Sequence, residues 1–107
     1  MGTKETNIMN ACMVALSEAG CLAWRNNVGV LPDANGRPIR YGLGTGSSDI
    51  IGICPDGAFL ACEVKTKTGR VSPAQEAFIE AVRRRGGRAG VARSPEEAVR
   101  IARPETG

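Results

Sequence analysis

Apolar positions recur at two different periods along the chain, and each change of period marks the boundary of a predicted element. Residues 4–19 carry apolar side chains every three or four positions, which predicts a helix that ends at Gly20. Short apolar runs at 21–31, 48–54 and 58–66 predict three strands.

Two helix-start signals follow in the second half of the chain. Ser72-Pro73-Ala74-Gln75 places a capping serine, a proline at the first helical position and a glutamine three residues after the cap, which predicts a helix over 73–85. Ser94-Pro95-Glu96-Glu97 repeats this pattern before a last helix that ends near Arg103, and a short strand is predicted at 88–93 between the two helices. The apolar face predicted for the first of these helices comprises Ala74, Ala77, Phe78, Ala81 and Val82.

The predicted order is therefore α-β-β-β-α-β-α. A strand, a crossover helix and a second strand form a right-handed unit whose strands are parallel. The turn signal Pro55-Asp56-Gly57 makes the strands at 48–54 and 58–66 antiparallel neighbours, and the glycine-rich segment 32–46 is predicted to be a loop with a turn at Asn35-Gly36. The fold class is α/β, with a mixed sheet flanked by helices.

Length and composition are those of one globular domain over residues 1–107. No apolar run approaches the ~20 residues that a membrane span needs, and the N-terminus lacks a basic stretch followed by an apolar one. We therefore expect no membrane contact, and the cytoplasm is the default location.

The chain has four cysteines without CxxC spacing and no histidine. This excludes zinc sites that contain histidine and general bases that are histidines. We expect the cysteines to be buried, reduced thiols. Any catalysis must then depend on carboxylates, lysine and metal.

The net charge of +3 is unevenly distributed. Residues 65–93 carry eight basic and two acidic side chains, a balance of +6, whereas the rest of the chain sums to −3. Such a segment is typical of a surface that binds polyanions, although a basic patch alone is weak support.

The candidate chemistry lies in the two predicted antiparallel strands. Asp49 stands at the head of one apolar run, and Glu63 and Lys65 stand two residues apart in the other, so their side chains share a face. Two acids and a lysine at one end of a hairpin can hold a divalent cation and polarise an attacking water, which is an arrangement that hydrolyses phosphodiesters. In the alternative interpretation Asp49 caps a strand end and Glu63 pairs with Lys65.

A longer ordered set of residues surrounds this trio. In chain order it consists of Glu5, Trp24-Arg25-Asn26-Asn27, Gly46-Ser47-Ser48-Asp49-Ile50-Ile51-Gly52, Glu63-Val64-Lys65-Thr66, Gly69-Arg70 and Ser72-Pro73-Ala74-Gln75. Over roughly residues 5–92 the chain thereby resembles the VRR-NUC branch of the PD-(D/E)xK nuclease superfamily, in the short stand-alone form of phages and bacteria. Ser48 departs from the proline that many members of the wider superfamily place before the aspartate.

The resemblance implies a restriction-endonuclease-like core and a metal-dependent deoxyribonuclease that uses Mg²⁺ or Mn²⁺. The motif acids carry over to Asp49 and Glu63 as metal ligands, and the motif lysine carries over to Lys65. The carbonyl of Val64 is a further candidate ligand. Lys65 would stabilise charge in the transition state and orient the attacking water.

Two further candidates lie on helices. Glu5 matches the acid of the family's first helix and is expected to bind the metal, directly or through water; otherwise it is a favourable charge at a helix N-terminus. Gln75 matches the helix glutamine and is expected to contact Lys65 or the attacking water, and it also completes the capping box.

The expected partners are DNA, with branched DNA among the expected forms, and a second copy of the chain. The small core and the open site suggest a homodimer, and the resemblance implies that such a dimer cuts branched DNA. The rival interpretation is a non-catalytic nucleic-acid-binding module on the same fold. The candidate DNA contacts are Arg70, Lys67, Arg25, Asn27 and Arg84.

Overall fold

The computed structural model describes residues 3–104. The helices are α1 (Lys4–Glu18), α2 (Pro73–Arg84) and α3 (Pro95–Ala102), and the strands are β1 (Leu22–Arg25), β2 (Gly29–Pro32), β3 (Pro38–Tyr41), β4 (Ile50–Ile53), β5 (Phe59–Val64) and β6 (Arg88–Ala92).

The main sheet has the strand order β1-β4-β5-β6. Strand β4 is antiparallel to both β1 and β5, whereas β6 is parallel to β5 and is reached through α2. The fold class predicted from the sequence, a mixed sheet flanked by helices, is confirmed.

A hairpin replaces part of the predicted loop. β2 and β3 pair with each other in a separate two-stranded sheet, so the prediction of an irregular segment over 32–46 is wrong for β3. The predicted turn at Asn35-Gly36 is present, because Gly36 takes a φ of 79° and the Asp33 carboxylate accepts the backbone N–H groups of Asn35 and Arg37, each at 2.8 Å. Pairing across this turn satisfies backbone groups in a stretch whose glycines had suggested a loop.

The predicted strand at 21–31 is divided into two strands, because its second part pairs within the hairpin and not within the main sheet. After β1 the chain leaves the main sheet at Asn26, whose backbone N–H donates to the Asp49 carbonyl at 2.7 Å. Residues from Gly29 onward then belong to the hairpin.

The principal core lies between the main sheet and the pair of helices α1 and α3. Side chains with no exposed surface meet there from both layers, Cys12 and Leu16 from α1 and Ile50, Leu60 and Val64 from the sheet. This burial is the main stabilising contribution, at roughly 25 cal/mol per Å² of apolar surface.

Helix α2 covers the opposite face of the sheet only over β5 and β6. Ile79 packs on Ala61 and Ala89, whereas Ala74 and Ala77 are exposed, so the predicted inward face of this helix is partly wrong. Ile79 is the buried residue of this helix, and Phe78 and Val82 pack beside it with partial exposure.

Among residues 3–104, no helix covers the rest of that sheet face, over β1, β4 and the first residue of β5. Leu22 pairs with Ile53 and Ile53 pairs with Phe59 across the strands, so these side chains lie on one side of the sheet, together with Trp24. Their exposed fractions are 60%, 42%, 42% and 51% in that order. We call these four residues the apolar strip.

All four cysteines are free and buried, as predicted. Burial, reinforced by the charges of Glu96 and Glu97, raises the pKa of the Cys12 thiol to about 11. In the part of the chain that the structure describes, no helix has the length and apolar character to cross a membrane.

Candidate active site

The two motif acids meet at one end of the β4–β5 hairpin. Ile50 is the register partner of Cys62, and continuing this antiparallel pairing by one residue places Asp49 opposite Glu63. The Asp49 side chain accepts the backbone N–H of Val64 at 2.9 Å. A backbone group of β5 thus fixes the orientation of the Asp49 carboxylate, which lies just before β4.

Glu63 is a buried carboxylate, with 2% of the residue exposed. Its Oε2 accepts a hydrogen bond from the Gln75 amide at 2.9 Å and lies 3.6 Å from the Lys65 ammonium. Its Oε1 is also buried and has no hydrogen-bond partner among residues 3–104. Leaving a charged oxygen in this state is costly unless a cation or a proton compensates it.

The electrostatics of the site agree with its geometry. The pKa of Glu63 is raised to about 7. Burial is the main cause, and the negative charge of Asp49 adds to it. The positive charge of Lys65 opposes the shift without cancelling it. Two carboxylates at close range cannot both ionise freely without a nearby cation. Lys65 alone does not compensate the pair.

Lys65 lies where the sequence predicted, on the same face as Glu63. Its side chain is 16% exposed, and its backbone N–H donates to the Ala92 carbonyl at 3.0 Å. The contact of 3.6 Å with Glu63 is an ion pair rather than a hydrogen bond, so the ammonium retains donors for another anion.

Gln75 combines two interactions at the start of α2. Its Oε1 accepts the N–H of Ser72 at 2.9 Å, its own N–H donates to the Ser72 hydroxyl at 3.1 Å, and its amide nitrogen reaches Glu63. The capping box is therefore present, and the side-chain contact is with the acid rather than with Lys65. Helix formation and the orientation of the buried carboxylate depend on the same residue.

Asn26 has a positioning role that the sequence did not reveal. Its amide donates to the Ser47 hydroxyl at 2.8 Å and to the Ser48 carbonyl at 2.9 Å, beside the backbone bond to Asp49. The segment that leads into Asp49 is thereby tied to the end of β1. An asparagine at a strand end before a glycine-rich segment was the available signal.

Arg93 fastens the loop that follows Lys65. Its guanidinium donates to the carbonyls of Thr66 and Gly69, the latter at 2.7 Å. The loop carries Lys67 and Arg70, both exposed, as expected of candidate phosphate contacts.

The remaining predicted residues are more scattered. Glu5 is exposed on α1, one helical turn before Met9, and residues 3–104 contain no cluster of three acidic, cysteine or histidine side chains able to hold a metal. Arg84 is exposed at the far end of α2, about 14 Å along the helix from Gln75, and pairs with Glu80 at 3.2 Å.

An open cleft of about 470 Å³ lies beside Asp49. It contains the candidate DNA contacts Arg25 and Asn27. Its lining is completed by Met9, Asn26, Val28, Tyr41 and Asp49.

A mixed sheet flanked by helices, with two acids and a lysine at the end of its central hairpin, defines a restriction-endonuclease-like fold. The family model of the VRR-NUC domain matches residues 3–96, and the chain belongs to this nuclease-type family.

Solved structures agree with this assignment of the fold. A structure described as a VRR-NUC domain is 24% identical, with 94% of this chain and 95% of that chain covered and a TM-score of 0.64. A VRR-NUC domain protein is 19% identical over 94% of this chain and 86% of that chain, with a TM-score of 0.55. The comparison with curated proteins gave no significant match.

Proposed function

We propose that residues 1–107 form a single nuclease domain that hydrolyses phosphodiester bonds of DNA with Mg²⁺ or Mn²⁺. The observation that carries this proposal is the buried Glu63 carboxylate, which faces Asp49 and has one oxygen without a hydrogen-bond partner among residues 3–104. Hard divalent cations prefer oxygen ligands of this kind. The donor set therefore fits the metal that the family implies.

Asp49, Glu63 and the carbonyl of Val64 are the proposed ligands, and Glu5 contributes through water from α1. The bound cation would neutralise the two acids and lower the pKa of a water ligand. Asp49 is held for this task by the Val64 N–H, and Glu63 by the Gln75 amide.

Lys65 and Gln75 complete the proposed catalytic group. The Lys65 ammonium, which is only weakly paired with Glu63, stabilises negative charge on the phosphate oxygens and helps to orient the attacking water. Gln75 keeps the Glu63 carboxylate in one orientation and so acts as a positioning residue.

Substrate binding is assigned to Arg70 and Lys67 in the loop after β5, to Arg25 and Asn27 in the cleft, and to Arg84 on α2. Arg70 and Lys67 are exposed on a loop that Arg93 holds close to Lys65, which supports phosphate contacts beside the site. The free thiols of the described chain suit a reducing compartment, in keeping with action in the bacterial cytoplasm.

We further propose a homodimer in which the apolar strip is buried against a second copy. The strip is continuous across three strands, and no helix of the described residues 3–104 covers it, so in the dimer it would be removed from water. A two-fold dimer presents two sites to opposite strands, as the resolution of a four-way junction needs.

The dimer is tested by light scattering after size exclusion. Ile53→Ser should yield monomers, whereas Val14→Ser, an exposed apolar residue of α1 outside the strip, should not. A wild-type protein that remains strictly monomeric at working concentration would exclude the symmetric two-strand cut.

The nuclease itself is tested with labelled single-stranded, duplex, flap and four-way-junction DNA in Mg²⁺, Mn²⁺ and EDTA. We expect wild type and the control Lys4→Ala, which changes an exposed lysine of α1, to cut in metal and not in EDTA. Lys65→Ala and Asp49→Asn should not cut. DNA that is retarded but uncut in every lane would instead favour the non-catalytic binding module.

A further inference from the structure

Tyr41 lies in the cleft beside Asp49 in an unusual environment. It is the register partner of Gly29 in the β2–β3 hairpin, and a Cβ atom on Gly29 would lie 2.3 Å from the Tyr41 hydroxyl oxygen and 2.5 Å from Cζ. The ring therefore rests on backbone that only glycine leaves uncovered. It nevertheless remains 45% exposed while it lines the cleft.

The polar side chains of the cleft divide into two groups. The Asn26 amide nitrogen donates to Ser47 and Ser48, and its oxygen accepts the backbone N–H of Leu43 at 3.5 Å. By contrast, within residues 3–104 the Arg25 and Asn27 side chains make no hydrogen bond or ion pair. Their donors and acceptors are available to a ligand.

Apolar side chains also contribute to the cleft, so its mixed lining suits a ligand that has both polar and apolar parts. Met9 and Val28 line the cleft with Tyr41. An aromatic ring with amide and guanidinium groups beside it is the combination that binds unstacked nucleobases in nucleic-acid-binding proteins.

We propose that this cleft binds an unpaired nucleobase of DNA, which stacks on Tyr41 next to the cleaved phosphodiester. The inference extends the proposed nuclease, because Asp49 belongs both to the cleft and to the acid pair. A base inside a continuous duplex has both faces covered by its neighbours and cannot reach the ring. The cleft therefore selects flaps, splayed arms and branch points over uninterrupted duplex.

The test uses binding without cleavage, in Ca²⁺, so that its outcome does not depend on the nuclease being active. The probe is a splayed-arm duplex with the fluorescent base 2-aminopurine at the first unpaired nucleotide, compared with a fully paired duplex of the same sequence. Wild type should quench the fluorescence and bind the splayed probe more tightly.

Tyr41→Leu keeps an apolar side chain over Gly29 but removes the aromatic face. We expect it to abolish the quenching and to weaken binding of the splayed probe by about 10-fold, with duplex binding unchanged. Tyr41→Phe should behave as wild type. Ile39→Ala is the control for hairpin stability, because Ile39 lies two residues away on the same strand and is 53% exposed.

An abasic nucleotide at the probe position completes the test. It should weaken wild-type binding as much as Tyr41→Leu does, and the variant should lose nothing more on the abasic probe. The proposal is overturned if Tyr41→Leu retains the quenching or the preference for the splayed probe, or if Ile39→Ala loses them equally. If the wild type does not cut DNA but gives the expected binding results, the proposed nuclease is refuted and the proposed base site is not.

Discussion

Replacing Glu63 with glutamine should stabilise the metal-free protein while it abolishes cleavage. The side chain keeps its shape and can still accept the Gln75 amide hydrogen bond, but it no longer carries a buried charge opposite Asp49. Removing a charge that the fold compensates incompletely lowers the energy of the folded state.

The magnitude follows from the pKa of Glu63. It rises from an ordinary 4.5 to about 7, and each unit corresponds to about 1.36 kcal/mol. Because the residue is only 2% exposed, solvent screens this cost little. At about pH 8, where the carboxylate is ionised in both states, the glutamine variant should gain about 3 kcal/mol, or roughly 13 °C in Tm.

The stability difference between wild type and Glu63→Gln should depend on pH. Between its unfolded and folded pKa values Glu63 binds more protons in the folded protein, so the stability of wild type falls as the pH rises from about 4.5 to 7. The gain of Glu63→Gln should therefore be small near pH 5 and largest above pH 7.

The assay is thermal unfolding in EDTA across this pH range. Glu80→Gln is the control, because its exposed ion pair with Arg84 contributes little. Adding Mn²⁺ should raise the Tm of wild type and not that of the variant. A glutamine variant that is less stable than wild type above pH 7, or a difference that does not change with pH, would refute the reasoning.

Three further predictions concern residues around the site. Gln75→Ala should cost about 1 kcal/mol of stability and reduce cleavage, whereas Ser72→Ala should cost a similar amount and leave cleavage nearly intact, as measured by denaturant unfolding and initial rates. The Arg88 guanidinium lowers the pKa of Asp56 to about 2, so this carboxylate stabilises the fold above its ordinary pKa and loses that effect as the pH falls toward 2; Asp56→Asn should flatten this part of the acid unfolding curve. Arg93→Ala should speed amide exchange in the loop over residues 66–70 and weaken DNA binding, with partial recovery in Arg93→Lys; unchanged exchange would contradict the role of Arg93 in holding the loop.

The sequence predicted the main sheet and the helices because their signals are local and strong. The Ser72 and Ser94 caps, the Asp56-Gly57 turn and the apolar runs of β4 and β5 each specify an element within a few residues. The same periodicity placed Glu63 and Lys65 on one face, where their contact is found.

Other features depend on partners distant in the sequence. The β2–β3 hairpin was missed because its strands are short and contain glycine and proline at their ends, so that pairing, rather than composition, decides their structure. The bonds from Asn26 to residues 47 and 48, and from Arg93 to the loop at 66–69, join segments about twenty residues apart or more. A local pattern can mark Asn26 as a capping residue at a strand end, but it does not identify these distant partners.

The two acids come from the two arms of one hairpin, and this has a consequence for folding. Strands β4 and β5 are joined by a short turn, so their pairing is a local event that can precede the long-range docking of β6. Asp49 and Glu63 then approach each other while the rest of the sheet is still forming. We expect divalent cations to accelerate refolding, because they would relieve this repulsion in the transition state as well as in the native protein.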